Sequence, residues 1–242
     1  MLSAPGPMPG TVRPAGRVGD VSLADSTYSR IKLAIIHNDL APGSHITEQQ
    51  IAAELEVSRT PVHQAIVRLD AEGWLKLQPK RGVVISTVTA EEMRFVYEVL
   101  TGLEGMAVER LASRPKPSEV PVEAELLAAA VKAERALAEG DLDVWAQNDD
   151  RFHSILVGRS GNPLLANLAR TVMEQAHRAR LLTLRSRLPP TTSNHDHRAI
   201  LDAITRRNPA AAKAALEAHR RRGMEVLLPI LEKMSGRQRF IR

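Results

Sequence analysis

Cysteine is absent from the 242 residues of this chain, and aromatic residues are scarce: two Trp, two Tyr and three Phe. The first absence excludes disulfides and thiolate metal sites, and gives no sign of an oxidising compartment. The second, set beside many Ala and Leu, favours helices over sheets. No apolar run approaches the roughly 20 residues that a membrane-spanning helix requires. The N-terminus lacks the hydrophobic core of a secretory signal. These absences predict a soluble cytoplasmic protein. Hydrophobic residues make up 43% of the chain, enough for a real core, and the length admits two modest domains. Thirty-three Lys and Arg face 28 Asp and Glu, a formal charge of +5. That small excess fits a nucleic-acid partner.

The densest pattern lies in residues 47–87. Thr47 and Gln50 have capping-box spacing, and Ile51, Ala52 and Leu55 give a short helix one apolar face. Glu56-Val57 makes a turn. Ser58 stands as N-cap of a second helix, with Pro61 tolerated in its first turn. Val62, Ala65, Ile66 and Leu69 then fall at i, i+3, i+4 and i+7 and predict the inward face. The outer face carries Arg59, Thr60, His63, Gln64 and Arg68, side chains able to reach base edges or phosphates in a major groove. Gly73 ends the helix. Residues 75–77 and 83–85 read as short strands joined by Pro79-Lys80-Arg81-Gly82, a basic hairpin tip suited to phosphate or minor-groove contact. The outline predicts a winged helix-turn-helix, preceded by a helix over 25–38 with Tyr28, Ile31 and Ile35 on one face. Residues 1–20, rich in Pro and Gly, read as a flexible arm.

After residue 88 the pattern becomes long helices. They are expected over about 89–114, 118–139, 141–158, 162–187, 192–206 and 209–234, separated by Pro and Gly, with a frayed basic tail at 236–242. The fold class is therefore mainly α: a winged helix-turn-helix over 21–88, then a six-helix bundle over 89–235. Inside that bundle, polar residues sit on apolar faces. Trp145, Asp149, Phe152, His153 and Leu156 share one face, with Asp149 and His153 four apart. His197 lies with Ile200, Leu201 and Ile204. His219 falls on the stripe Ala212, Ala215, Val226 and Ile230. Buried ionisable groups must pair or bind a metal. One Asp and three His suit a borderline divalent ion, Zn²⁺ or Ni²⁺ first and Mn²⁺ after them, with room left for a small carboxylate.

The segment SRTPVHQAIVRLDAEGWL resembles the recognition-helix signature of the GntR family of bacterial transcription regulators. That resemblance implies operator contacts by Ser58, Arg59, Thr60 and Gly82. Gln49 and His63 stand where many members carry DNA-contacting arginines, which implies a different operator sequence. DDRFHSIL, SGNPLL, DHRAILDAI and AHRRR resemble successive motifs of the FCD effector domain in the FadR branch, with six helices as in its VanR-like subgroup. The resemblance implies Asp149, His153, His197 and His219 as metal ligands. It places Leu100 where the domain commonly carries an effector-holding arginine. Arg178 or Arg180 is left to substitute or to lie on the surface, and His195 to neighbour the pocket or face solvent.

The expected protein is a homodimeric, non-enzymatic DNA-binding regulator, by family habit a repressor. It would bind a near-palindromic operator under control of a small organic acid held near the metal. The alternatives are a metal-dependent hydrolase or lyase with a helical accessory domain, and an architectural protein in which the metal only staples helices.

Overall fold

The computed structural model describes residues 22–78, 82–114 and 121–239, with side chains through residue 235. The N-terminal arm and the hairpin residues Lys80 and Arg81 lie outside the described residues.

The N-terminal half opens with α1 (Leu23–Ile36), whose N-cap Ser22 accepts from the Asp25 amide. A two-residue strand, β1 (His45–Ile46), precedes α2 (Glu48–Leu55). Both halves of the Thr47–Gln50 capping box are formed, so two orphan donors of α2 are satisfied reciprocally. Glu56 then takes a left-handed conformation, φ +56°, which turns the chain sharply into α3 (Arg59–Ala71). Val62, Ala65, Ile66 and Leu69 of α3 pack with Ile31, Ile35 and Ile51 in one core. Full burial of each Val, Leu or Ile among them is worth about 1.5–3 kcal/mol. Two further strands, β2 (Leu75–Gln78) and β3 (Gly82–Ile85), complete an antiparallel sheet of order β1-β3-β2. In register, Leu75 faces Ile85 and His45 faces Val84. Gly82 is required where it stands: φ is +87°, and a Cβ there would come 2.7 Å from the Ile46 carbonyl oxygen. The strand β1 has no counterpart in the sequence reading, because two residues carry no periodicity.

The rest is helical: α4 (Ala90–Ala112), α5 (Val122–Ala138), α6 (Leu142–Gly158), α7 (Pro163–Leu184), α8 (Thr191–Thr205) and α9 (Pro209–Arg239). The helix α4 starts at a second complete capping box, Thr89 with Glu92, and packs against α6, α7, α8 and α9. Its stripe Met93, Val96, Leu100, Ala107 and Leu111 is buried. Two expectations for α9 are corrected. The helix runs on through Arg239, so 236–239 are not a frayed tail. Its buried stripe beyond His219 is Leu227 and Leu231, while Val226 is exposed and Ile230 partly so. The expected stripe slipped by one residue, because both phases of this leucine-rich segment repeat every three or four positions.

The two halves are pinned together at α7. Lys32 of α1, buried over the Trp74 ring, reaches Glu174 at 2.7 Å and Glu72 at 3.1 Å. Arg178 donates to the Ser86 carbonyl at 2.9 Å, and Asn38 donates to the Arg178 carbonyl at 3.4 Å.

Candidate functional site

Two surfaces carry chemistry. The first is the start of α3. Ser58 occupies the N-cap position but makes no side-chain capping bond, so its hydroxyl is free. Arg59, Thr60, His63 and Gln64 are exposed beside it, and Gln49 of α2 is exposed as well. Glu48 stands behind them, 2.9 Å from His63 Nδ1 and 3.8 Å from Arg59. A helix end offering a hydroxyl, a guanidinium, an imidazole and an amide to solvent fits a major groove. Arg68 is a different case. Its guanidinium lies 3.6 Å from the Tyr28 ring and pairs with Glu72 and Asp25, so it braces α3 against α1.

The second is the interior of the bundle. His153 of α6, His197 of α8 and His219 of α9 converge, all buried. His153 Nε2 is 3.2 Å from Nε2 of His197 and 3.2 Å from Nε2 of His219. Asp149 Oδ1 lies 3.5 Å from His197 Nε2 and accepts from the Ser193 hydroxyl. Carboxylates set the orientation of two rings from behind. Glu104 Oε1 is 3.1 Å from His153 Nδ1, though off the hydrogen-bond direction, and Asp196 Oδ2 is 3.3 Å from His219 Nδ1. Each carboxylate is itself held by an arginine: Glu104 by Arg220 through two 2.5 Å contacts, Asp196 by Arg222. At His219 the Asp196 contact at Nδ1 favours the tautomer that leaves Nε2 unprotonated. Nε2 atoms 3.2 Å apart must share a proton or a cation, since two facing lone pairs repel. The donor set therefore fits a divalent ion of borderline softness.

Burial works against charge here. It pushes His197 down to about 3 and His153 well below its usual value, so both are neutral imidazoles near pH 7. Burial alone would raise the Asp149 carboxyl, but Arg180, 2.5 Å away, holds it far below the usual carboxylate range. A cavity of about 760 Å³ opens against this cluster, with Tyr97, Trp145, Asp149, Arg180, Arg187 and His219 in its wall.

Two family models cover most of the described chain. Residues 23–85 match the model of bacterial regulatory proteins of the gntR family, and residues 95–222 match the FCD domain. The chain belongs to the GntR family. Among relatives of this GntR-family regulator is the HTH-type transcriptional regulator YdhC of Bacillus subtilis, 30% identical over 85% of this chain and 91% of that protein. A regulator from the ttuE-ttuC' intergenic region of Agrobacterium vitis is 39% identical over 61% of this chain and 82% of its own length. The solved structure of E. coli McbR/YncC superposes with a TM-score of 0.76 at 20% identity, over 89% of this chain and all of that one, which shows a shared fold. The protein is a DNA-binding transcriptional regulator with an FCD domain. Among the described residues no helix is long and apolar enough to cross a membrane.

In this GntR-family regulator three expected pocket residues lie elsewhere. Leu100 is fully buried in the α4 stripe. Arg178 serves the junction with the winged half. Two residues further along α7 is a rotation of about 200°, and that turn carries Arg180, not Arg178, to Asp149. His195 is exposed on α8 and does not line the cavity. Residues missed in the sequence are Glu104, Arg220 and Asp196. Glu104 had a signal, since it lies four residues after Leu100 and three before Ala107 on a buried stripe.

A pH dependence follows. His177, between Arg180 and His37, is also pushed by burial to about 3. Below pH 6.5 the unfolded chain takes up protons that folded His177 and His197 refuse. Stability of the metal-free protein is therefore complete above about 6.5 and falls as pH drops toward 3, each such His contributing up to about 1.4 kcal/mol per pH unit. Thermal melts between pH 7 and pH 4.5 should show a falling midpoint, with a shallower slope in His177→Asn. Equal slopes in the two proteins would exclude this assignment.

Proposed function

We propose that this regulator is a homodimeric repressor whose operator affinity is set by a small organic acid bound beside a divalent ion, Zn²⁺ or Ni²⁺ before Mn²⁺. The observation that carries the reading is the convergence of three buried imidazole Nε2 atoms, with His219 in the wall of a ligand-sized cavity. His153, His197 and His219 would hold the ion, with Asp149 beside them. When bound, the ion supplies a Lewis-acid anchor for a carboxylate. Glu104 and Asp196 keep two imidazoles in register. The carboxylates touching the triad, Asp149, Glu104 and Asp196, are each ion-paired with an arginine, so none is left as a general base. That favours a sensor over the hydrolase reading.

Contacts lead from the centre to the reading head. Arg180, paired with Asp149, is 3.5 Å from His177, and the His177 ring meets His37 at the end of α1 edge-on, centroids 6.5 Å apart. Ligand contact at Asp149 would shift Arg180 and, through α7, the seat of α1. Couplings of this kind are worth about 1–3 kcal/mol. Phe95, Val99 and Met106 are exposed along α4, with Leu164 and Leu168 exposed on α7. An apolar surface of this kind is what a second copy would cover.

Selection of the purified protein against random-sequence duplexes tests the reading. The expected product is a near-palindrome with half-sites about 34 Å apart, one turn of duplex. A single ungapped half-site, or no enrichment, would overturn it.

A further inference from the structure

The cavity beside the triad holds one guanidinium that no carboxylate contacts. Arg180 is matched by Asp149, Arg220 by Glu104 and Arg222 by Asp196. Arg187, in the segment between α7 and α8, has no such partner. Its Nε and Nη2 are buried and make no hydrogen bond among the described residues. Its guanidinium carbon lies 5.7 Å from the centre of the Trp145 ring, so the group is backed by the indole rather than free in water. Burial first, and then the neighbouring Arg180, lower its proton affinity, and the more distant pull of Asp149 offsets this only in part. An uncompensated buried guanidinium is costly unless an anion reaches it. The helix α4 contributes Tyr97 to the wall and no competing cation.

We infer that Arg187 receives the second anionic end of the ligand, and that the ligand is a small dicarboxylate spanning the cavity from the histidine centre to Arg187. This rests on the cavity being the effector site. A planar fork presents two parallel donors, the geometry that a carboxylate accepts. The charge census agrees: Arg180, Arg187 and Arg222 in the wall are balanced by Asp149, Asp196 and Glu225, so a divalent ion at the triad would leave an excess that a dianion matches better than a monoacid. The hydroxyls of Thr191, Thr192 and Ser193 line the same space and can donate to the ligand between its ends.

The test uses the full chain loaded with Zn²⁺ and titration calorimetry with linear dicarboxylates from malonate to adipate, each beside its monoamide. In the wild type the best-fitting diacid should bind about tenfold or more tightly than its own monoamide. Arg187→Gln should bring the two within about twofold, leaving zinc content and monoamide affinity unchanged, and Arg187→Lys should keep part of the preference. A preference retained in Arg187→Gln, or absent in the wild type while both acids bind, would overturn the role of Arg187 and leave the cavity as a ligand site. Failure of every acid to bind the wild type would overturn both.

Discussion

His153→Ala combined with His219→Ala is expected to strip the protein of bound metal and leave a folded chain whose operator binding no longer responds to small acids. The fold should survive because neither substitution orphans a charge. Glu104 keeps its two contacts to Arg220 when His153 goes, and Asp196 keeps Arg222 when His219 goes. What is lost is two of the three Nε2 donors, and the remaining His197 with Asp149 makes too small a set for tight retention of a borderline ion. Elemental analysis should give occupancy near background, with an unchanged helical circular-dichroism spectrum. Full occupancy would contradict the assigned centre.

Arg59→Ala is expected to abolish specific operator binding. The side chain is 71% exposed and its one ion-pair contact is the 3.8 Å approach of Glu48, so the fold has little need of it. An arginine that reads a guanine contributes about 1–3 kcal/mol, and the proposed two-fold dimer would double that. The loss should reach about 2–6 kcal/mol in gel-shift titrations on the selected site, with the melting temperature unmoved. An unchanged affinity would remove Arg59 from the reading surface. His63 and Gln49, standing nearby where arginines are common in the family, should shift which bases are preferred.

How much of this was legible in the sequence depends on how local the cause was. Thr47 with Gln50, Pro61 and the face Val62-Ala65-Ile66-Leu69 are local patterns, and each is realised as read. The converging histidines were legible for a related reason: an imidazole amid apolar neighbours at helical spacing must face inward. Long-range pairing was not legible. Glu104 and Arg220 are far apart in the chain, and charged residues on a stripe read as surface until a partner 2.5 Å away is seen. Arg178 and Arg180 looked equivalent because the direction in which each faces depends on the packing of α7 against α6 and the winged half. On α9 a run in which every third or fourth residue is apolar in two phases let the stripe slip past Val226, which lines the cavity while Leu227 and Leu231 hold the core.

The most direct measurement is the operator affinity of one preparation of the wild-type protein, first with its metal chelated away and then reloaded with Zn²⁺, each with and without the best-fitting dicarboxylate. The acid should change affinity by about 5–150-fold in the reloaded protein and have no effect in the chelated one. Identical operator affinities in all four conditions, with metal content verified at both extremes, would contradict it.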